Sequence, residues 1–597
     1  MKLLQLLPLS LALSPLVSAL WPVPSKSTVG NSTLWFSADA EFSLSYVQSN
    51  VGFMLAPSQL LQTLTKRNTL NNSSSSNKPP ITEEILDRAI RRTYHTILKE
   101  GFIPWRFHAR NAEFEPTEDT GKPVTSIKLQ LSGPDSPNVL KGLDGEIDES
   151  YSLKVTEDGE VTVFANSSIG LVRGLTTFTQ LFFKHSTVKD SAYTPYAPVD
   201  IQDHPAFAHR GLNMDVSRSY YEVDHIKRTI DALAYSKMNR LHLHITDAQS
   251  WPLEIPSMPE LSAKGAYNKD LVYTPDDVAG IQRHGALQGV QVIIEIDMPG
   301  HTSSIWYSHP ELIASFNEQP DWSTYSAEPP SGTLHLNDPA VYTFIQNLLK
   351  DLLPRISPYT AYFHTGGDEI KAAAYINDPT IKSNITSVIQ PYLQKFVNST
   401  HDIVRQAGLT PMVWEEMVLD WNLTLGSDVV VQTWQESTNV NLTVSKGYKT
   451  LAGNYYFWYL DCGHGQWINF PPNQSASFFP YNDYCAPFHN WRVVYSYDPL
   501  YNISAEAQHL VIGGEVHAWA EQTDGANLDR VVWPRAAAAA EILWSGAKDP
   551  VTGGNRSQVE AAPRLSDLRE RLVAKGIYAE PIQMAFCTMG DNQCNLG

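Results

Sequence analysis

The sequence predicts an α/β protein: a catalytic (β/α)8 barrel preceded by a smaller α+β domain. Three observations carry this. From His209 onward, short apolar segments of β character alternate with helical segments, eight times over. Acidic, aromatic and histidine residues follow the C-terminal end of nearly every such segment, as they do on the upper face of a barrel. Before about residue 204 the pattern is instead a set of alternating strands with two helical stretches. A doubly wound open sheet has the same periodicity, and only the residues at the strand ends favour the barrel over it.

The elements follow in order. Met1-Lys2, an apolar run from Leu3 to Val17 and the small pair Ser18-Ala19 read as a signal peptide over 1–19, too short and too Pro-interrupted to span a bilayer. Residues 20–204 form the N-terminal α+β domain. In it, Thr82 is expected to cap a helix that keeps Ile85, Leu86, Ala89, Ile90, Thr93 and Ile97 in helical register. Ile127, Leu129 and Leu131, then Tyr151, Leu153 and Val155, then Val161 and Val163 alternate as half-buried strands, and Leu171 to Phe183 reads as a helix. Asn71 to Pro80 is a low-complexity insert. Pro195, Pro198 and Pro205 mark the boundary to a barrel over 205–560. Its strands are expected at 209–215, 239–247, 290–297, 361–366, 410–415, 428–434, 450–459 and 509–516, and its helices at 223–238, 275–288, 339–353, 386–407 and 526–543. Thr274-Pro275-Asp276-Asp277 is a helix start, with Pro in the first turn and acids beside the positive end of the dipole. Residues 561–597 are expected as a C-terminal helix and tail packed on the barrel.

The chain has 597 residues and a formal net charge of −19, which speaks against nucleic-acid or anionic-membrane partners, since both select basic patches. Its 15 Trp and 27 Tyr suit stacking on sugar rings, although most belong to the core. Asn-X-Ser/Thr sequons at Asn31, Asn166, Asn384, Asn398, Asn422, Asn441, Asn473, Asn502 and Asn555 fit a eukaryotic secretory route, with a vacuolar or wall-bound destination as the alternative to release. Four cysteines allow three pairings; proximity favours Cys462–Cys485 and Cys587–Cys594, and without a Cys-X-X-Cys pair a thiolate zinc site is not expected.

Chemistry concentrates at the strand ends. Tyr362-Phe363-His364-Thr365-Gly366-Gly367-Asp368-Glu369 reads as a buried strand, a tight turn and two adjacent carboxylates. Two such groups in a dry cleft cannot both ionise comfortably, so one pKa is expected to rise, as a general acid requires. The plain alternative is a polar loop whose acids cap the next helix. Arg210, on the first strand, is either the partner of a core acid or a fork for vicinal hydroxyls, and the sequence does not choose. His242 and His244 share a strand face, which permits a metal but more often marks a hydrogen-bonded core pair. Gly300 can aim His301 into the cleft. Trp414, Trp434 and Trp519 recur at equivalent strand ends and converge on one mouth, giving an aromatic-walled pocket with a few carboxylates.

With these residues in view, the chain strongly resembles the β-N-acetylhexosaminidases of glycoside hydrolase family 20, especially secreted eukaryotic members of fungal type. The resemblance rests on His209-Arg210-Gly211, His242-Leu243-His244-Ile245-Thr246-Asp247, Met298-Pro299-Gly300-His301, His364-Thr365-Gly366-Gly367-Asp368-Glu369, Trp458-Tyr459-Leu460-Asp461, Trp519-Ala520-Glu521 and Trp533-Pro534-Arg535. It reaches the N-terminal domain through Trp21-Pro22-Val23-Pro24 and Gly170-Leu171-Val172-Arg173-Gly174-Leu175. The resemblance implies Glu369 as general acid/base, Asp368 as the group that orients the substrate's 2-acetamido N–H, and Tyr459 as donor to the acetamido oxygen. It implies Trp414, Trp434 and Trp519 as walls, Arg210, Asp461 and Glu521 as ligands of sugar hydroxyls, and Asp247, His301 and His364 as supporting residues. The implied reaction removes terminal non-reducing GlcNAc or GalNAc from chitooligosaccharides or glycans, with retention, through a cyclic oxazolinium. No metal or cofactor is expected. The partners implied are N-acetylhexosamine-containing oligosaccharides, with a homodimer as an open assembly. The Trp21-Pro22 start follows the leader directly, so the cleaved propeptide of related fungal enzymes has no clear room. A metal hydrolase built on His242, His244, His301 and Asp368, and a sugar-binding protein without catalysis, are the competing readings.

Overall fold

A computed structural model of the chain describes residues 20–47, 78–137, 139–590 and 592–596, and the backbone of 52–55. Residues 1–19, read above as a signal peptide, and residues 71–77 of the insert lie outside the described residues. Nine strands form the first sheet: β1 (Lys26–Phe36), β2 (Glu41–Tyr46), β3 (Gly52–Leu55), β4 (Lys122–Pro123), β5 (Ser126–Leu131), β6 (Tyr151–Val155), β7 (Glu160–Ala165), β8 (Phe183–Lys184) and β9 (Ala192–Asp203). Their order is β3-β2-β5-β7-β6-β9-β1-β4, with β8 paired to β9. Period-two alternation in β5, β6 and β7 turns Ile127, Leu129, Leu131, Leu153 and Val163 into a core shared with helices Thr82–Leu98 and Ser168–Gln180. Thr82 does not cap the first helix: Ile81 precedes it, and the Thr82 hydroxyl donates to Asp135 instead.

The second unit is a closed barrel, which removes the open-sheet alternative. Its strands are β10 (His209–Asp215), β11 (Arg240–His244), β12 (Gln291–Glu295), β15 (Tyr362–His364), β16 (Thr410–Trp414), β17 (Val430–Gln432), β18 (Lys449–Ala452) and β19 (Val511–Ala518), all parallel, with β10 bonded to both β11 and β19. A two-stranded excursion, β13 (Ile313–Ala314) and β14 (Thr333–Leu334), leaves the barrel between β12 and β15. Seven of the eight strands fall inside the expected spans or overrun them by two residues. The seventh differs. β18 stops at Ala452, the Asn454 side chain accepts from the Tyr456 N–H, and Tyr455–Trp458 makes one helical turn. The expected helix 526–543 is two helices, Leu528–Val532 and Arg535–Ser545, split where Pro534 lacks an N–H for the ladder. Thr274 forms the expected cap, trading hydrogen bonds with Asp277.

Buried charge fastens the two units at the barrel floor. Glu149 takes Arg210 at 2.7 and 2.8 Å, Arg173 at 2.8 Å and Asn239 at 2.8 Å, while Arg173 also reaches the Gly289 carbonyl. Burial pushes the Glu149 carboxyl up, but the two guanidiniums outweigh it and hold the group near 2. Asp203 accepts from Lys237, Tyr151 and Trp544 in the same layer. The C-terminal helix runs from Gln558 to Ala574 and does more than cover the barrel: Arg564 pairs with Glu541 of the barrel, and Arg571 donates to the Phe182 carbonyl of the first domain. The cysteines pair as proximity suggested, Cys462–Cys485 and Cys587–Cys594. Eight of the nine sequon asparagines named above are exposed and Asn441 is half-buried, so each is open to modification. Among the described residues no helix is long and apolar enough to cross a membrane.

Candidate active site

The turn after β15 builds the centre. Gly366 and Gly367 have φ of +68° and +106°, and a Cβ on Gly366 would meet Asp297 Oδ1 at 1.8 Å, so only glycine fits. The Gly367 N–H donates to the same Asp297 oxygen at 2.8 Å. This delivers Asp368 into the cleft as a buried side chain and leaves the Glu369 side chain 30% exposed. Glu369 and His301 both hold left-handed backbone, φ +54° and +51°, a conformation that costs energy away from glycine and clusters at functional sites.

Three loops support the pair. His301 Nε2 lies 3.5 Å from Glu369 and 4.0 Å from Asp368, while its Nδ1 meets Asp247 at 3.1 Å. Arg218, just past β10, reaches Asp247 at 3.1 Å, Asp215 at 3.3 Å, Glu328 at 3.0 Å and Glu521 at 3.6 Å, with its guanidinium over the Trp519 ring. The rise in pKa expected for one acid falls on Asp368, not Glu369. Burial pushes Asp368 well up, and the carboxyls of Asp297 and Glu369 add to it. Burial also lifts Asp297, to about 6. Glu369 is lifted by burial too, but the His301 hydrogen bond and charge, with Arg218 and Lys371, bring it below its ordinary value. The proton of this cluster therefore resides with Asp297 and Asp368 rather than with Glu369.

Beside the acids stands an aromatic box. Trp414 closes β16, Trp434 follows β17, Tyr459 follows the turn after β18, and Trp519 follows β19. Trp434 stacks on Tyr459 with centroids 6.1 Å apart at 16°, and Trp519 lies 6.1 Å from both Trp414 and Tyr459. The rings are fixed at their polar edges: Trp414 Nε1 donates to Glu295 at 2.8 Å, and Trp434 Nε1 to Glu416 at 3.0 Å. Asp461 accepts from the Trp519 N–H at 3.3 Å, and burial pushes it up to about 7. Glu521 faces Arg218 across the same rim. The Cys462–Cys485 bridge packs against Trp519 and Tyr459 and so anchors the start of the long 463–489 loop at the pocket.

Arg210 is a correction. Its side chain is fully buried at the N-terminal end of β10, spent on Glu149 and on the carbonyls of Phe207, Ala208 and Lys237. That is the floor, and the acids are at the opposite end of the strands. The arginine of the mouth is Arg218, which the sequence reading passed over. Position could have found it, because Asp215-Val216-Ser217-Arg218 leaves the C-terminal end of the strand and Arg210 opens the other. Arg210→Ala is expected to destabilise the fold by about 3–5 kcal/mol, by stranding Glu149 in the interior. A chemical-denaturation curve measures this, and a midpoint equal to the parent's would contradict it.

His364 lies beneath the pair rather than beside it. Its Nδ1 accepts from the Gly366 N–H at 3.0 Å, and its ring packs on Trp414. His242 and His244 are engaged by buried carboxylates, Glu515 at 3.0 Å for the first, Glu295 at 2.6 Å and Asp247 at 2.7 Å for the second. Burial lowers their affinity for a proton, yet the carboxylates prevail and raise His242 to about 9. Such imidazoliums are poor metal ligands. A column of alternating carboxylates and histidines thus fills the barrel axis, and Glu295 and Glu515 in it carried no periodic signal in the sequence.

Comparison with known proteins follows the same lines. The family model described as glycosyl hydrolase family 20, catalytic domain, matches residues 207–547, and one described as β-acetyl hexosaminidase like matches 20–181. A β-hexosaminidase of Arthroderma benhamiae is 42% identical over 603 aligned residues, covering 97% of this chain and 98% of its own. A chitooligosaccharidolytic β-N-acetylglucosaminidase of Ostrinia furnacalis is 32% identical, covering 80% of this chain and 79% of its own. Among solved structures, the chitobiase of Flavobacterium johnsoniae superposes with a TM-score of 0.68 at 24% identity, over 94% of this chain and 73% of that one. That likeness concerns the fold.

Proposed function

The chain belongs to glycosyl hydrolase family 20 and is a glycoside hydrolase of the β-hexosaminidase type; from that premise we propose that it acts as an exo-enzyme on terminal β-linked N-acetylhexosamines, by a retaining mechanism in which the substrate's acetamido group is the nucleophile. The observation that carries the mechanism is the aromatic box set directly beside Asp368 and Glu369. Two carboxyls leaving one turn share a side of the site, whereas a two-carboxylate mechanism needs its acid and its nucleophile to flank the scissile bond. A box of Trp414, Trp434, Tyr459 and Trp519, three of them buried, instead suits a small amide held in place.

As substrate binds, the proton that Asp368 holds passes to Glu369, which gives it to the glycosidic oxygen as the acetamido oxygen attacks C1 and the bond from C1 to the aglycone breaks. Ionised Asp368 accepts the acetamido N–H and stabilises the charge that grows on nitrogen, while the Tyr459 hydroxyl donates to the acetamido oxygen. Glu369, now a carboxylate, takes a proton from water, the water oxygen attacks C1 of the oxazolinium, and the ring opens with retention. Intramolecular attack by a group held in line can remove about 7 kcal/mol or more of an activation barrier. Arg218, Asp461 and Glu521 bind ring hydroxyls. The apolar leader and the two disulfides support export through an oxidising compartment.

The test is hydrolysis of a p-nitrophenyl β-N-acetylglucosaminide against its 2-deoxy counterpart. Release from the first and near-silence on the second is expected; equal rates would sink the substrate-assisted reading. The pH profile of kcat/KM carries a further expectation. Activity needs one proton on the Glu369–Asp368 pair. At low pH both become protonated, and this loss is delayed because Glu369 is held down. At high pH the proton leaves, and this loss is delayed because Asp368 is held up. The profile should be a bell broader at both limbs than two ordinary carboxyls give, and a narrow bell centred near pH 4 would contradict it.

A further inference from the structure

Behind the Trp434 wall lies a carboxyl that the mechanism above does not use. Glu416 opens the short helix Glu416–Leu419, two residues past Trp414. It is buried, and its Oε1 accepts two hydrogen bonds, from Trp434 Nε1 and from Gln435 Nε2, each at 3.0 Å. Its Oε2 is buried without a hydrogen-bond partner, and so is Asp368 Oδ1. The titratable groups that face Glu416 are both acids: Asp368 from the turn after β15, and Glu415 beside it on its own turn. No cation among the described residues is paired with it. A carboxylate taken out of water with two donors and no counter-charge, among other acids, keeps its proton.

We propose that Glu416 is a positioning residue of the pocket that works as a neutral carboxylic acid, its carbonyl oxygen fixing the Trp434 indole and its lack of charge allowing Asp368 to ionise when substrate binds. The inference rests on the substrate-assisted reading, in which Asp368 must become an anion in the filled site. An ionised Glu416 would oppose that step, and an apolar residue would free the indole. Burial, then Asp368 and Glu415, raise the group well above an ordinary glutamate, in agreement with the hydrogen-bond pattern.

Two variants and one spectrum test it. Glu416→Gln keeps both the acceptor and the neutrality, and its kcat is expected within about threefold of the parent. Glu416→Ala removes the acceptor, and kcat should fall about a hundredfold while KM stays within about threefold, because a displaced wall misaligns the attacking amide. The difference infrared spectrum of parent minus Glu416→Gln at pH 7 should contain the carbonyl stretch of a protonated carboxylic acid, which a role in packing alone does not require. A carboxylate band in its place overturns the proposal, as does a folded Glu416→Gln enzyme as impaired as Glu416→Ala, or an alanine enzyme with parental kcat. If the alanine variant does not fold, the glutamine variant and the spectrum decide. Failure of the parent on the aryl N-acetylglucosaminide would remove the reading of function separately, since the spectrum needs no substrate.

Discussion

Glu369→Gln is expected to lower kcat on the p-nitrophenyl N-acetylglucosaminide by about 10³- to 10⁴-fold, with little change in KM. The amide occupies the same space at the end of the same strained turn, so the pocket stays formed and ground-state binding is kept. What disappears is proton transfer, first to the leaving oxygen and then from water, worth about 4–5 kcal/mol at that loss. The deficit should shrink as the leaving group becomes more acidic, because a good leaving group needs no proton. A variant that loses equally on all aglycones, or retains parental kcat, would reject Glu369 as the acid/base. The pH profile gives a second check: with the proton donor gone, activity needs only ionised Asp368, so the alkaline limb should vanish while an acid limb set by Asp368 remains.

Asp368→Asn carries the next largest effect, about 10²- to 10³-fold in kcat. Before substrate binds, Asp368 favours its neutral form, so asparagine resembles the resting residue closely. The loss arises only when the acetamido nitrogen gains positive charge, which an amide cannot offset. The defect therefore belongs to kcat, and the affinity for a thiazoline mimic of the cyclic intermediate should fall in step with it. If Asp368→Asn bound that mimic as tightly as the parent, the assigned role of Asp368 would be wrong. The contrast with Glu416→Gln is informative, because the same neutral replacement is expected to be severe at one carboxyl and mild at its neighbour.

Much of the site was legible because motifs at strand ends are local. Gly366-Gly367-Asp368-Glu369 states its own turn, and the spacing of Trp414, Trp434 and Trp519 along successive β/α units brings them to one rim once the barrel closes. Arg210 was misplaced because two arginines bracket the same strand and only the direction of the chain through the barrel tells floor from mouth. The rise in pKa was assigned to neither acid by sequence, since Asp297 and His301, which split the two, come from a different strand and loop. Glu328 reaches Arg218 from the long excursion after β12, a contact with no local trace.

By itself the sequence determined the alternation of strand and helix, the nearest-neighbour cysteine pairs and the residue types that crowd the strand ends. Those follow from periodicity and short-range spacing, which one stretch of chain can express. Tertiary structure alone decided which carboxyl holds the proton, which arginine meets the cleft, and that Glu149 ties the two domains together at the floor. Proton affinity and ion pairing depend on burial and on charges that arrive from distant segments, and neither exists until the chain has closed on itself.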